Sequence, residues 1–408
     1  MGQSTAPFLM EVFRMDDVFP DYGGNSIVNL SVAILEHFAA EAPEGVAPYS
    51  FKSNGIDLTG IDKIVLFVID ALGYHNLLSV LEDNEFSFFS RERIGVLTSV
   101  FPSTTSAALT SIFTAMPPAG HGILGYLLNM PEYGGLVNMI ELTPYTQDRD
   151  NLARLGFDPL KYLEKKTVFE SLKEAGVRSY HVTSKSFVNT GLTRMHTRGG
   201  IARGAHGIGD TFEELKSILG NDDPGNFTIV YWGLIDTYGH RYGPNSLAYS
   251  IETIALMRSI EEFFEKHVGR ETALFITADH GQIQTPWERE VWWSKFDRPF
   301  RRMYSMPGGE QRMSYIYTTE AKETKALLED LYGSSIEILT TDEAVDMNLF
   351  GGKLSDDFRK RLGELITISR DDYSFCFKYT GQEHSLKGRH GGLSALEMNV
   401  PLVFMRKH

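Results

Sequence analysis

Three short runs constrain this chain more than any other feature. Residues 64–69, 228–235 and 273–277 are largely apolar, and each is followed within two residues by an aspartate: Asp70, Asp236 and Asp279. Runs of this length that stop at a polar residue read as strands buried on both faces. Such strands need helices above and below the sheet they form. Helical periodicity occupies 168–175, 211–219 and 247–267, the last with Leu247, Ile251, Ile254, Met257, Ile260 and Phe264 along one stripe. The expected fold class is therefore α/β, a mostly parallel central sheet with helices on both faces.

Beyond Trp287 the pattern changes. Trp292, Trp293, Phe296, Phe300, Arg301 and Arg302 crowd a stretch that ends in a proline turn at Pro307. Strand-like runs at 312–318 and 336–339 and helical runs at 320–331 and 356–365 follow, before a last apolar strand at 400–405. We expect a small cap over 285–384 inserted into a catalytic core made of 1–284 and 385–408. The chain has no internal repeat, no low-complexity tract and no phosphate-binding glycine loop of the P-loop or dinucleotide type.

Composition narrows the partners. A formal charge of −14 argues against gripping a nucleic-acid polymer, which needs a basic face, although carboxylates gathered around cations would account for part of it. The single cysteine, Cys376, excludes an intramolecular disulfide and a cysteine metal cluster. Residues 1–20 lack the basic start and apolar centre of a signal peptide, and no run of about 20 apolar residues is present to span a bilayer. A cytoplasmic location without a membrane span is expected. Glycosylation-type triplets at Asn29 and Asn226 would matter only in a secreted chain.

Five segments carry side chains able to do chemistry, and each also has an ordinary structural explanation. Asp70 and Asp236 at strand ends are placed where aspartates cap helices or form turns. Ser103, Thr104, Thr105 and Ser106 stand before a small-residue helix, where hydroxyls cap, and where backbone amides also meet phosphate. Asp236 and His240 are four apart and share a face if the segment is helical. Asp279, His280 and Gly281 follow a strand, and His390 sits in a loop with Gly388, Gly391 and Gly392. In an open parallel sheet such strand ends converge on the ligand. Together the segments supply three aspartates, three histidines and a hydroxyl, an oxygen and nitrogen set that suits two divalent ions of zinc type better than magnesium or calcium.

This ordered set resembles the alkaline phosphatase superfamily, and within it the nucleotide pyrophosphatase/phosphodiesterase branch. The resemblance covers about 61–405, with 282–387 matching least. It implies that Asp236, His240 and His390 hold one ion while Asp70, Asp279 and His280 hold the other. It implies that Thr105, bridging toward the second ion, is the nucleophile that forms a phospho-threonine. The branch places its nucleophile nine positions before the threonine of a Thr-Gly pair, and Thr114-Ala115 stands there. Pro117 to Gly122 also matches the branch's segment after that helix. One departure is Tyr126, 21 positions after Thr105, where the branch has a phosphoryl-binding asparagine. Its phenol, or Asn129, is the replacement donor.

The implied activity is hydrolysis of a small-molecule phosphoester. Trp292 to Arg302 and Arg312 are expected either to shape its pocket or to pack the insert. A phosphomonoesterase, a phosphonate hydrolase and a phosphoglycerate mutase-like enzyme of the same superfamily are alternatives, the last disfavoured by a threonine nucleophile. A sulfatase would need a Cys/Ser-x-Pro-x-Arg stretch, which 101–106 lacks. A noncatalytic metal-binding module would not need every ligand position filled.

Overall fold

The computed structural model describes residues 17–82, 84, 86, 94–221 and 223–407. Most of the segment read for a signal peptide lies outside them. The three apolar runs form adjacent strands at the heart of a seven-stranded sheet: Lys63–Ile69 lies between Asn226–Trp232 and Thr272–Thr277, parallel to both. Lys63 is level with Asn226 and Thr272, so all three strands deliver their carboxyl ends to one edge. Arg178–Ser184 and Ile201–Ala205 extend the sheet in parallel on one side. On the other, Asn399–Arg406 runs antiparallel between Thr272–Thr277 and Ile94–Thr98.

Every residue of Thr272–Thr277 is buried, as is all of Lys63–Ile69 after its first residue, which is the signature of a sheet covered on both faces. The covering helices pack in two groups. Ile27–His37, Thr105–Thr114 and Val168–Glu174 touch one another, and Leu247–His267 touches Tyr74–Glu82 and Ile208–Leu219. One expected strand ends early: the sheet releases the chain at Trp232, Gly233 caps a helix over Leu234–Tyr242, and Asp236 lies in its first turn. The expected helix at 356–365 is confined to Asp356–Arg359, and Leu365 already begins a strand. Asn29 and Asn226 are fully buried.

A second seven-stranded sheet is antiparallel throughout. Its order is Ile336–Thr340, Leu365–Ser369, Met313–Ile316, Gly308–Gly309, Leu127–Met130, Gly135–Asn138 and Thr143–Pro144. Strands from 127–144 thus complete a sheet whose other members come from 308–369, a contribution the sequence reading did not anticipate. A short ribbon pairing Ile283–Gln284 with Gly388–Arg389 brings together the places where the chain leaves and rejoins the central sheet. Among the described residues no helix is long and apolar enough to cross a membrane.

Two buried arginines fasten the second sheet. Arg389 pairs with Glu290 and bonds Gln311 and Thr285. Arg312, fully buried, grips Glu397 with two guanidinium nitrogens at 3.1 and 2.8 Å. The Glu397 carboxylate also accepts the Gly392 N–H at 2.8 Å, and its carbonyl accepts the Gly281 N–H at 2.8 Å. Truncating one partner of such a pair strands a charge without water. Arg312→Ala is expected to lower stability by about 3–5 kcal/mol, seen as an earlier urea midpoint. A midpoint equal to wild type would remove the pair from the structural framework.

Candidate active site

The carboxyl edge of the central sheet gathers the polar residues. Asp70 follows its strand directly, and its N–H still donates to Trp232 O at 2.9 Å, so the residue is held in register with the neighbouring strand. Asp279 receives the N–H groups of His280 at 3.0 Å and Ala71 at 3.3 Å through one carboxylate oxygen. The two loops nearly touch. A methyl group on Gly73 would lie 2.7 Å from Gly281 Cα, and one on Gly281 would lie 2.0 Å from Leu396 O. Glycine at both positions is a condition of close approach.

The three histidines share one arrangement. Nδ1 of His240 lies 2.7 Å from Gly388 O, Nδ1 of His280 lies 3.0 Å from Gly281 O, and Nδ1 of His390 lies 2.9 Å from Ser103 O. A carbonyl can only accept, so each Nδ1 carries a proton, and Nε2 is the nitrogen left to bind an ion. This is how proteins orient imidazoles toward a metal. The Nε2 atoms point at the aspartates: His240 to Asp236 Oδ1 at 3.2 Å, His390 to the same oxygen at 3.8 Å, and His280 to Asp70 Oδ1 at 3.4 Å and Asp279 Oδ2 at 3.6 Å.

Two clusters result, Asp236 with His240 and His390, and Asp70 with Asp279 and His280, the ligand atoms of each lying within 4.8 Å of one another. The rings of His280 and His390 stack at 3.8 Å, so the clusters adjoin. Asp70 Oδ1 and Asp279 Oδ2 are buried without a hydrogen-bond partner. Burial, reinforced by Asp279 and Asp236, pushes the Asp70 carboxyl well above its ordinary range, against the opposing bond from Tyr231. Burial also raises Asp236, opposed by His240 and His280. Burial and the neighbouring imidazoles hold His390 well below its ordinary value, hence neutral. Orphaned carboxylate oxygens grouped with carbonyl-oriented imidazoles fit divalent cations.

Four hydroxyls head the helix Thr105–Thr114, and three are engaged elsewhere. Ser103 Oγ donates to Gly392 O at 2.8 Å, Ser106 Oγ to Gly125 O at 2.9 Å, and Thr104 Oγ1 to the Glu310 carboxylate. Thr105 Oγ1 lies 3.1 Å from His280 Nε2 and faces the clusters. Buried histidines brace the same helix: His196 meets Thr110 and His121 meets Ser111, both at 2.9 Å.

Residues 64–393 match the family model for type I phosphodiesterase / nucleotide pyrophosphatase. The chain belongs to that family. That family lies in the alkaline phosphatase superfamily. A curated relative, alkaline phosphatase PafA of Elizabethkingia meningoseptica, is 23% identical over 220 residues, which is 46% of this chain and 39% of that protein. The matched stretch thus spans well under half of that relative's length. Among solved structures, murine ectonucleotide pyrophosphatase / phosphodiesterase 5 aligns at a TM-score of 0.59 and 15% identity, over 83% of this chain and 87% of that one. Phosphonoacetate hydrolase from Sinorhizobium meliloti 1021 aligns at 0.62 and 19%, over 84% and 89%. These likenesses support the fold.

Other residues singled out in the sequence fall apart into two groups within this family framework. Tyr126 lines the same cavity as Thr105, and its phenol oxygen accepts from Asn138 at 2.9 Å. Asn129 lines a different hollow, beside Ser305 and Met306. Trp293 and Phe300 are buried in a cluster with Leu328 and Phe375, so they pack the insert. Arg312 is likewise structural. Three residues of the site were not foreseen: Tyr231, whose hydroxyl donates to Asp70; Gln282, which donates to Asp236 at 2.9 Å; and Glu310. Tyr231 sits on a central strand one residue before its end, a position readable once the strands are aligned. Glu310 gives no local signal.

A carboxyl whose folded pKa is raised contributes stability when protonated, and that contribution is lost as pH rises above the ordinary aspartate range. In a chelator, wild type should therefore melt progressively lower from weakly acid to weakly alkaline buffer, and Asp70→Asn should melt higher than wild type at the alkaline end. Added divalent cation should reverse the order of the two proteins. Scanning fluorimetry with and without chelator measures this, and an Asp70→Asn protein less stable in both conditions would contradict it.

Proposed function

We propose that this protein hydrolyses phosphodiesters through a covalent phospho-Thr105, with divalent cations of zinc type held by the two clusters. Asp70, Asp279 and His280 would hold one ion and Asp236, His240 and His390 the other. Bound there, such ions supply the positive charge that lowers the pKa of a hydroxyl and offsets charge on a phosphoryl group. The observation that carries the reading is Thr105: of the hydroxyls at its helix head, it is the one that meets a residue of the clusters, His280 Nε2 at 3.1 Å. A solved form of murine ectonucleotide pyrophosphatase / phosphodiesterase 5, an inactive threonine-to-alanine variant in complex with AMP, adds to it.

The side chains do the following. The Thr105 Oγ–phosphorus bond forms as the ester oxygen–phosphorus bond on the opposite side breaks; the hydroxyl proton passes to solvent and the departing alcohol takes one up. Water then attacks the phosphothreonine and Oγ leaves. The helix head offers its free amides to the phosphoryl oxygens, and the Tyr126 phenol adds a donor where its proton is free to turn inward. Burial holds that phenol well above its ordinary pKa, so it stays protonated through neutral pH.

The test is a panel of bis-p-nitrophenyl phosphate, p-nitrophenyl phosphate, a nucleotide phenyl ester, phosphonoacetate and a sulfate ester. Diesters should be preferred. Thr105→Ala should reduce kcat/KM by about a thousandfold or more while the melting curve stays cooperative, and chelation should abolish turnover that added zinc restores. A preference for the sulfate ester, or an active Thr105→Ala protein, would refute the reading.

A further inference from the structure

Residues 295–306 reverse the charge of the chain around them. The protein carries −14 overall, yet this stretch holds Lys295, Arg298, Arg301 and Arg302 against one acid, Asp297. It is also apolar where it meets water: Phe296 is 73% exposed, Tyr304 56% and Met306 43%. The Asp297 carboxylate accepts the Ser294 N–H at 2.7 Å, and Arg301 Nε donates to Phe296 O at 3.3 Å, so the segment folds back on itself. Lys295 Nζ stands 5.3 Å from the centre of the Phe296 ring. Ring and cations therefore share one tip.

The tip is built on a firm base. Phe300 turns inward to pack with Trp293, and Pro299 is buried beside it, which leaves Phe296 outside a segment that is otherwise anchored. The ridge bounds a hollow of about 760 Å³, to which Lys295, Tyr304 and Met306 contribute from one side and Pro131, Gly135 and Leu136 from the other. That far wall, residues 131–136, carries a single carboxylate, Glu132. Phe377 lines both this hollow and the cavity lined by Thr105, so the ridge belongs to the same side of the second sheet as the approach to the site.

Not every charge on the ridge is free. Glu320 pairs with Arg302, and Glu364 is occupied by the Tyr304 hydroxyl at 3.1 Å and the Thr318 N–H at 2.8 Å. Among the described residues, Lys295, Arg298 and Arg301 form no ion pair with a carboxylate. Single exposed apolar side chains are ordinary. Three on one ridge, interleaved with three unpaired cations, are the composition of an interfacial anchor, in which apolar tips enter the boundary of the acyl chains while lysine and arginine heads stay with anionic headgroups. An acidic peptide would use the cations and leave Phe296 in water. An apolar protein face would cover Phe296 and strip water from cations it could not pair. An anionic bilayer uses both, and because the rest of the chain is acidic, its field turns this ridge toward it.

We propose that residues 295–306 form a reversible docking surface for an anionic lipid bilayer, with Phe296 entering the headgroup boundary and Lys295, Arg298 and Arg301 holding lipid phosphates. The proposal concerns where the molecule sits and is separate from the phosphodiesterase reading.

The test sediments the full chain with vesicles of phosphatidylcholine containing about one part in three phosphatidylglycerol, and with vesicles of phosphatidylcholine alone. The protein should pellet with the anionic vesicles only, and less so as salt rises. Lys295→Gln, Arg298→Gln and Arg301→Gln should each weaken that binding about fivefold, and Phe296→Ser about tenfold. Trp287→Ser removes an aromatic that is 76% exposed but stands next to Glu288, and should bind as wild type does. Cooperative melting of each variant checks that it is folded. Absence of binding, equal binding to both kinds of vesicle, or a Phe296→Ser protein that binds undiminished would overturn the proposal. Capture by soluble polyglutamate that depends on the cations and not on Phe296 would overturn it in favour of an acidic polypeptide, and a dimer in sedimentation velocity that Phe296→Ser dissolves would do so in favour of a second copy of this chain.

Discussion

Three carboxylates converge at one sheet edge with no lysine or arginine paired to them among the described residues; their ion-pair partners there are histidines. The rest of the site follows from this constraint. Like charges this deeply buried repel and are deprived of water, which is why Asp70 and Asp236 are pushed upward. An apolar sheet can hold such a group only if something positive joins it or protons remain on it. The histidines are oriented by carbonyls at Nδ1, and their Nε2 atoms stand against the carboxylates, where an ion would be held between the two. The arrangement is thus poor as a salt-bridge network and good as a set of ligands.

Backbone makes that set rigid. Each imidazole is oriented by a carbonyl from a different part of the chain: Gly388, Gly281 and Ser103. Those loops are in turn tied by Glu397, which holds Gly392 through its side chain and Gly281 through its main chain while Arg312 neutralises it from the second sheet. The fully buried pair therefore links the position of two metal-type histidines to the sheet that carries much of the cavity wall. Thr105 is placed by the same logic, since Ser103 and Thr104 on its amino side are pinned to Gly392 and Glu310.

Much of this was legible in the sequence, for physical reasons. Strands buried on both faces have no alternation to blur them, and their ends are marked by the first residue that cannot be buried unaided; so the central strands and their aspartates could be read directly. The helical spacing of Asp236 and His240 was legible too, although Gly233 ends the strand sooner than the apolar run suggests because Leu234 and Ile235 suit a helix equally well. The pairing of the six ligands into clusters came from family resemblance, since no local pattern says which distant loops meet. The hairpin of Leu127–Met130 and Gly135–Asn138 went unread: its strands are short, and Gly134 and Gly135, both at positive φ, marked a turn whose partners were not obvious. Glu310 was invisible because an isolated glutamate after a Gly-Gly pair looks like any surface residue until Thr104 and the cavity are seen beside it.

The two sheets contribute different parts of the site. Ligands for positive charge come from the central sheet's edge and its returning loop, and any change there alters the net charge of a dry site. The cavity wall comes largely from elsewhere: Tyr126 and Tyr145 from the segment that enters the second sheet, Glu310 from the turn between Gly308–Gly309 and Met313–Ile316, and Phe375 and Phe377 from the strand paired with Glu290–Trp293. Those positions carry no obligation to the phosphoryl group. They are free to differ between relatives that share the fold at under 20% identity, and Tyr126, standing where an asparagine was expected, lies at the boundary where the chemistry of the edge gives way to the chemistry of the wall.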